Sequence, residues 1–262
     1  NTPTCAILPT ADLDLAQSAL FGLLETRLTQ DKDLTMLERG QIGRILSEQE
    51  IQLLFQPVSV AQRRSAGTLL KADLLILLRA QTSGTAKRVG VVVCDSRGGL
   101  RLLVRAVPWT DKPEQDAGAI RDLVKQAVAK YGEGVTNVVA VPPFVNRDFL
   151  HDFDYLKTAY ARLVEQYVLG LKSAVVVELA EADAIAKEIA LTSSGDAVRR
   201  PLPLYLLGEY ENHITNQARV VSLWLTLHRG QETLATVSKE RLPEQEAPGF
   251  LLGATHQVLK EA

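Results

Sequence analysis

The chain has 262 residues, of which 46 % are hydrophobic, and its 29 basic and 31 acidic side chains leave a formal net charge of −2. This composition is typical of globular proteins, and the length is enough for two domains that each bury a core. The near-neutral balance gives no general field that would attract nucleic acid or an anionic membrane. No stretch approaches the roughly 18 uninterrupted apolar residues of a membrane-spanning helix.

Apolar runs and helical periodicity predict the elements of the first half in chain order. The expected strands are residues 5–8, 34–37, 72–80, 88–94 and 100–107. Four helices are expected. The first has Leu15 to Leu28 on its apolar face, and the second spans 39–55 with Ile42, Ile45, Leu46 and Leu53 facing inward. The third is capped by Ser59 and carries Ala66, Leu69 and Leu70, and the fourth spans 114–131. Residues 95–99 read as a hairpin turn, because their glycines supply the positive φ that a tight turn needs.

The second half shows the same order of elements. Its expected strands are residues 138–141, 174–179, 203–210, 218–227 and 233–240, and its expected helices are 148–167, 180–191 and 250–259. A segment rich in serine and glycine, residues 192–200, takes the place of the short helix after Ser59.

Three matches between the halves fall in the same order, at offsets of 132 to 140 residues. They pair residues 6–9 with 139–142, 36–38 with 176–178, and 89–94 with 221–226. A nearly constant offset predicts two tandem copies of one domain of about 130 residues, an ordinary domain size. We therefore expect an α/β fold with domains at 1–132 and 133–262, each a mixed sheet flanked by helices in the order β-α-β-α-β-β-β-α.

The two cysteines, Cys5 and Cys94, lie in apolar runs, which predicts buried thiols and argues against a disulfide between them. All four histidines lie in the second half, so no Cys/His zinc site is expected with these thiols. Four residues precede Cys5 and a strand begins at it, so it is not expected to carry a lipid. A leader or anchor would lie upstream of Asn1.

Motifs of catalytic or phosphate-binding sites, such as GxGxxG, GxxxxGK[ST], GxSxG and HExxH, do not occur in the chain. Ser96 sits in the hairpin turn without a nearby histidine, which favours a turn over a nucleophile. His151, Asp152 and Asp154 could suggest a metal, but residues at i and i+2 of a helix start point apart, and acidic residues there complement the helix dipole. No catalytic, cofactor or metal residue is predicted.

The candidate contact residues are two tryptophans and two pairs of basic residues. Alternation places Ser222, Trp224 and Thr226 on one strand face, which is either half-covered by a helix or an exposed contact surface. Trp109 follows a strand, where sealing the core is favoured over anchoring a partner. Arg63-Arg64 and Arg199-Arg200 lack interleaved aromatic residues, so they do not predict a nucleic-acid patch.

Residues 36–49 read Met-Leu-Glu-Arg-Gly-Gln-Ile-Gly-Arg-Ile-Leu-Ser-Glu-Gln, a strand ending in Leu-Glu-Arg that enters a helix with Leu-x-Glu-Gln. This segment resembles the CsgG family and its relatives, the TolB amino-terminal domain and the penicillin-binding-protein activator LpoB. Residues 6–9 (Ala-Ile-Leu-Pro) and 69–76 (Leu-Leu-Lys-Ala-Asp-Leu-Leu-Ile) match in family order. The resemblance covers about residues 5–130, and the second half matches only through its apolar pattern and Glu178.

The resemblance implies a non-catalytic scaffold or partner-binding protein of the bacterial envelope, periplasmic or associated with the outer membrane, with other envelope proteins as partners. It brings no catalytic residue, and Glu38, Arg39 and Glu48 are read as solvated helix residues. An oligomer is left open. One alternative is a small-ligand binder or enzyme that uses loops such as 192–200.

A weaker alternative is a component of a secretion channel, because channels of this family add transmembrane hairpins to the domain. Such strands need about 9 to 11 residues each. The connections at 82–87 and 212–217 are expected to be short turns without room for them.

Overall fold

The structure is a computed structural model that describes residues 2–13, 19–38, 45–83, 85–110, 112–148, 151–191, 201–215 and 218–261. The following predicted features lie outside these ranges: Leu15 of the first helix, motif residues 39–44, residues 149–150 of the helix expected over 148–167, residues 84 and 216–217 of the two expected turns, and the segment 192–200 with Arg199-Arg200. The chain divides after Gly134 into two compact units, here unit 1 and unit 2. The boundary expected from the sequence lies two residues earlier.

Unit 1 contains a five-stranded sheet in the order β2-β1-β3-β4-β5. Its elements are β1 (Thr4–Pro9), α1 (Ala19–Thr29), β2 (Thr35–Met36), α2 (Glu48–Leu54), α3 (Val60–Leu70), β3 (Leu74–Ser83), β4 (Ala86–Asp95), β5 (Arg101–Pro108) and α4 (Pro113–Glu133). The central strand β1 is parallel to β2 and β3, and β3, β4 and β5 are antiparallel to one another. The sheet is therefore mixed, as predicted.

Helices cover both faces of this sheet, which explains why β3 has no polar alternation: Leu74 to Leu78 are at most 2 % exposed. α1 and α4 contact each other on one face. On the other face, α2 and α3 pack on a cluster that includes Leu75, Leu77 and Val92.

The predicted helix over 39–55 is not continuous: residues 39–44 lie outside the described residues, and residues 45–47 are not helical. A turn precedes Ser47, and α2 begins at Glu48 behind a capping box in which Glu50 N–H bonds to Ser47 Oγ and Ser47 N–H to Glu50 Oε2. This start resets the helical phase, so Leu53, expected to face inward, is 51 % exposed. Ile51 and Leu54 are the buried residues of α2.

Three smaller expectations in unit 1 are also corrected. Ile45 lies before α2 and is 40 % exposed. Leu69 is 57 % exposed, because Ala66 and Leu70 form the buried face of α3. Ser59 occupies the N-cap of α3, but its side chain makes no capping bond.

Unit 2 repeats the architecture with a six-stranded sheet in the order β11-β10-β9-β6-β8, and β7 also pairs with β9. Its elements are β6 (Asn137–Ala140), β7 (Val145–Asn146), α5 (Tyr155–Leu169), β8 (Ala174–Val177), α6 (Leu179–Leu191), β9 (Leu204–Thr215), β10 (Ala218–Arg229), β11 (Glu232–Pro243) and α7 (Ala247–Lys260). The strands matched by sequence offset occupy equivalent places: β1 and β6, β2 and β8, β4 and β10. The described residues of the two units thus form seven α-helices around two sheets of the same strand order.

Unit 2 also departs from prediction. The helix expected over 148–167 begins at Tyr155, after a short 3-10 helix at His151–Phe153. The two-residue strand β7 was not expected. The hairpin strands are longer than predicted, since pairing continues to Ser83 and Ala86 in unit 1 and to Thr215 and Ala218 in unit 2. Most of the residues in the expected turns 82–87 and 212–217 therefore belong to strands.

Both cysteines are buried thiols outside any disulfide, as predicted. Cys5 pairs with Leu74, and Cys94 pairs with Leu75. Because neighbouring strand residues point to opposite faces, the two thiols lie on opposite sides of the sheet. Burial, followed by the charge of Asp73, raises the pKa of Cys5 to about 12.

Candidate partner-binding face

One face of β9, β10 and β11 in unit 2 stays partly open to solvent. Alternate residues of β10 on the opposite face, Val221, Leu223, Leu225 and Leu227, are 0 % exposed because α5 and α7 pack there. We call the other side the open face; it comprises Tyr205, Leu207, Glu209, Ser222, Trp224, Thr226, Thr236 and Ser238. Leu207 is 40 % exposed, and Trp224 and Thr226 are half-buried.

Strand register places an apolar pair at the centre of this face. Trp224 lies beside Glu209 on β9 and Ser238 on β11, and Thr226 lies beside Leu207 and Thr236. The two apolar side chains are therefore diagonal neighbours on adjacent strands, surrounded by hydroxyl and carboxylate groups. This is an aromatic and aliphatic centre with a polar rim.

Arg147, which follows β7, covers part of the tryptophan. Its guanidinium carbon lies 4.4 Å from the Trp224 ring centroid, within the range of a cation–π contact. The same guanidinium is paired with Glu209. The sequence left open whether a helix half-covers Trp224 or whether it lies on an exposed contact surface. In the structure Trp224 is half-buried, and the side chain that lies over its ring is Arg147.

The helix on this side, α6, reaches only part of the sheet. It buries Ala182 and Ile185 near β6. Its contact with β9 includes the hydrogen bond from Tyr205 Oη to Asp183 Oδ1 at 3.0 Å. Burial and this bond raise the pKa of Tyr205 to about 12. On β10 and β11 the side chains of the open face are half-buried or exposed, except that of Ser222, which is 3 % exposed.

The histidine and acidic residues after β7 form ordinary surface ion pairs. Asp154 binds Lys157 at 2.8 Å and His151 Nδ1 at 3.3 Å. The bond from Lys157 is the main cause of the lowered pKa of Asp154. Within the described ranges, no group of three or more histidine, cysteine or acidic residues is placed to hold a metal ion.

The hairpin turn at residues 95–99 is held by bonds within unit 1. Asp95 accepts the N–H groups of Arg97 and Gly98, each at 2.9 Å, and Gly99 has a φ of 72°. The Ser96 hydroxyl donates to the Ala72 carbonyl. These bonds confirm the predicted hairpin turn and engage the Ser96 hydroxyl.

Asp73, in the family-like segment 69–76, connects three parts of unit 1. Its carboxylate accepts from Thr4 N–H at 3.0 Å, from Arg97 Nη2 at 2.9 Å and from Tyr131 Oη at 3.3 Å. Asp73 thus ties the starts of β1 and β3 to the hairpin and to the last helix of the unit. Glu48, read from the sequence as a surface residue, accepts Ala11 N–H at 2.8 Å and fixes the chain after β1.

Arg63 is a residue whose role the sequence analysis missed. It is 0 % exposed, and its guanidinium donates to the carbonyls of Leu54, Gln56, Pro57 and Gly99 at 2.6–3.2 Å. It therefore joins the end of α2 to the hairpin turn. A readable signal was its helical spacing with the buried residues Ala66 and Leu70. Trp109 is half-buried after the end of β5, where its backbone N–H donates to the Lys87 carbonyl.

Comparison with family models and with curated proteins finds no match. A solved structure with partial similarity is TolB from Acinetobacter baumannii, at 16 % sequence identity and a TM-score of 0.34. The alignment covers 49 % of this chain and 28 % of that chain, so this chain spans less than a third of that structure. TolB is thus a weak structural neighbour. Within the described ranges, no helix has the length and apolarity needed to cross a membrane.

Proposed function

We propose that this chain is a non-catalytic partner-binding protein of the bacterial envelope, and that it binds another protein through the open face of unit 2. The observation that carries the proposal is the exposure of two apolar side chains at the centre of the open face: Trp224 is half-buried, and Leu207 is 40 % exposed. In unit 1 the equivalent face is buried beneath two helices. Interface centres are enriched in aromatic side chains such as tryptophan and are surrounded by a polar rim, as Trp224 is here.

The partner element that fits this face is an amphipathic helix. In unit 1, α2 and α3 pack on the equivalent strands, so a sheet of this strand order accepts helices on that side. Edge-strand pairing is a weaker mode, because the outer strand β11 carries Lys239, Glu240 and Arg241, and its register with β10 shifts twice. The helix would place apolar side chains over Trp224 and Leu207.

The absence of catalysis is part of the proposal, and it is supported by the bonds of the polar residues considered for chemistry. Ser96 donates to a main-chain carbonyl, and Asp154 is paired with Lys157. The alternative of an enzyme using residues 192–200 lies outside the described residues. A broad hydrolase and nucleotide-turnover screen tests this part, and turnover that a single polar substitution abolishes would overturn it.

The envelope location is supported by the sequence resemblance of residues 36–49 and 69–76 to envelope proteins. The proposed location includes the resemblance of these residues to the CsgG family. Cell fractionation of the native protein is the direct test. Recovery in the cytoplasmic fraction would contradict the location without affecting the proposed face.

Site-specific photo-cross-linking tests the face itself. A photoreactive residue at Thr226 should trap one defined partner in native cells, and Trp224→Ala should reduce that product at least severalfold. A photoreactive residue at Val104, which is 43 % exposed on β5 of unit 1, is the matched control. Equal trapping at both positions, or trapping at Thr226 that survives Trp224→Ala in a folded protein, would rule out this face.

A further inference from the structure

A concave site in unit 1 lies at the carboxyl ends of two parallel strands. β1 and β3 pair from Cys5 and Leu74 to Pro9 and Leu78. From β1 the chain passes to β2 on one side and then returns to β3 on the other. In α/β sheets, ligands bind outside the carboxyl ends of strands at such a reversal of strand order.

At this point the structure has a crevice of about 540 Å³, within the range of small-molecule sites. Its wall combines the chain after β1, the end of β3 and the end of α2. The lining residues used below are Thr10, Asp12, Gln56, Arg79 and Gln81.

The positive group of the crevice is Arg79. Its guanidinium carbon lies 5.1 Å from the ring centroid of the buried Phe55. The residue beside it on β4 is Gly90, where a Cβ would come within 2.5 Å of Gln81 Nε2 and 3.3 Å of Arg79 Cγ. The missing side chain gives Arg79 and Gln81 room to lie along the sheet. No carboxylate in the described part of the chain pairs with Arg79.

The negative group is Asp12, on the chain that leaves β1. Its carboxylate accepts the hydroxyl of Thr10, and Thr10 N–H is bonded to Leu78 O at 2.9 Å. Because Glu48 also accepts Ala11 N–H, hydrogen bonds hold each of the three consecutive residues Thr10, Ala11 and Asp12. Asp12 and Arg79 line the same crevice, yet no ion pair joins them among the described contacts.

We propose that this crevice binds a small zwitterion of the amino-acid or short-peptide class. Arg79 would bind its carboxylate and Asp12 its ammonium group, because a guanidinium matches a carboxylate with two parallel N–H bonds. Gln81 Oε1 accepts from Arg79 Nε at 3.0 Å and from Arg79 Nη2 at 3.2 Å, which leaves the other N–H groups of the guanidinium for the ligand. The N–H groups of the Gln81 amide and the amide of Gln56 line the remaining volume, where they complement peptide groups. This site is in unit 1 and is independent of the open face.

Isothermal titration and amide NMR of the full chain test the charge requirement with four probes. L-alanine and L-alanyl-L-alanine carry both charges, N-acetyl-L-alanine lacks the ammonium, and L-alaninamide lacks the carboxylate. We expect one or both zwitterions to bind and to shift the resonances of residues 79–82, and each charge-deleted probe to bind about tenfold more weakly or less. Tighter binding of the dipeptide identifies a peptide site, and tighter binding of alanine an amino-acid site.

Variants connect the binding to the two charged residues. Arg79→Gln and Asp12→Asn should each lower zwitterion affinity about tenfold or more, whereas Arg105→Gln, an exposed arginine on β5, should leave it unchanged. Thermal unfolding confirms that each variant is folded. Failure of both zwitterions to bind wild-type protein overturns the proposal, and so does unchanged affinity in Arg79→Gln. The probe comparison on wild-type protein does not depend on any variant.

Discussion

The two sheets share one strand order, and they differ in what covers one of their faces. In unit 1, Leu75, Leu77 and Val92 are at most 3 % exposed beneath α2 and α3, whereas in unit 2 Leu207 is 40 % exposed and Trp224 is half-buried. The opposite face is buried by helices in both units. The strand order is therefore kept with a helical layer on one face alone, and the helices that cover the second face differ between the two units.

Arg63→Leu should have the largest effect, because it removes the connection that holds the second helical layer of unit 1. The carbonyls of Leu54, Gln56, Pro57 and Gly99 would lose a charged donor in a buried place. We expect the free energy of unfolding of unit 1 to fall by about 4 kcal/mol. The chain has two tryptophans, one in each unit, so urea denaturation followed by Trp109 fluorescence in a Trp224→Phe background reports unit 1.

Arg64→Leu is the matched control for this prediction. Arg64 lies next in the helix and donates to Arg97 O at 3.1 Å in an exposed position. Its loss should cost less than about 1 kcal/mol. Similar losses for both variants would mean that Arg63 is not the connection that holds the second helical layer.

Leu77→Ala and Leu207→Ala compare the two faces directly. Leu77 is 0 % exposed beneath the helices of unit 1, so its truncation should leave a cavity and cost about 3 kcal/mol. Leu207 is 40 % exposed on the open face, so its truncation should cost less than about 1 kcal/mol. The two tryptophans again report the units separately. Comparable losses would mean that the open face is covered in solution.

The sequence predicted the parts of the fold that depend on local pattern. The run Leu74 to Leu78 identified a doubly buried strand, and the alternation of Ser222, Trp224 and Thr226 identified the face that becomes the candidate site. The start of α2 was missed although Ser47 and Glu50 are readable as a capping box.

Other features depend on long-range geometry that local patterns do not contain. Arg63 is buried because four carbonyls from two separate segments converge on it. Arg79 and Asp12 line one crevice only because β1 and β3 pair in parallel with a particular register. Neither arrangement follows from residue spacing.

Asp73→Asn should have a smaller effect than Arg63→Leu or Leu77→Ala, and its effect should depend on pH. Burial raises the pKa of Asp73, but bonds from Thr4 N–H and Arg97 outweigh it, so the net pKa is lowered. A lowered carboxyl pKa contributes stability above the unfolded value of about 3.9, and this contribution is lost as pH falls through the folded pKa. At pH 7 the variant should be about 1 kcal/mol less stable, and the difference should shrink toward zero below the folded pKa.

Unit 2 supplies the internal control for this prediction. Asp73 precedes β3, and the equivalent residue before β9 is Pro203, which has no carboxylate. Unfolding of unit 2, followed by Trp224 in a Trp109→Phe background, should be the same with and without Asp73→Asn at every pH. A difference that persists unchanged at low pH would contradict the ionic role of Asp73.

The placement of the two cysteines gives unit 1 a natural kinetic probe. They are the only thiols of the chain, they lie on opposite sides of one sheet, and unit 2 has none. Because both are buried, an alkylating reagent should modify them only when unit 1 opens. Labelling rates read by peptide mass would therefore show whether the layer over Cys94 opens before the layer over Cys5, without any engineered residue.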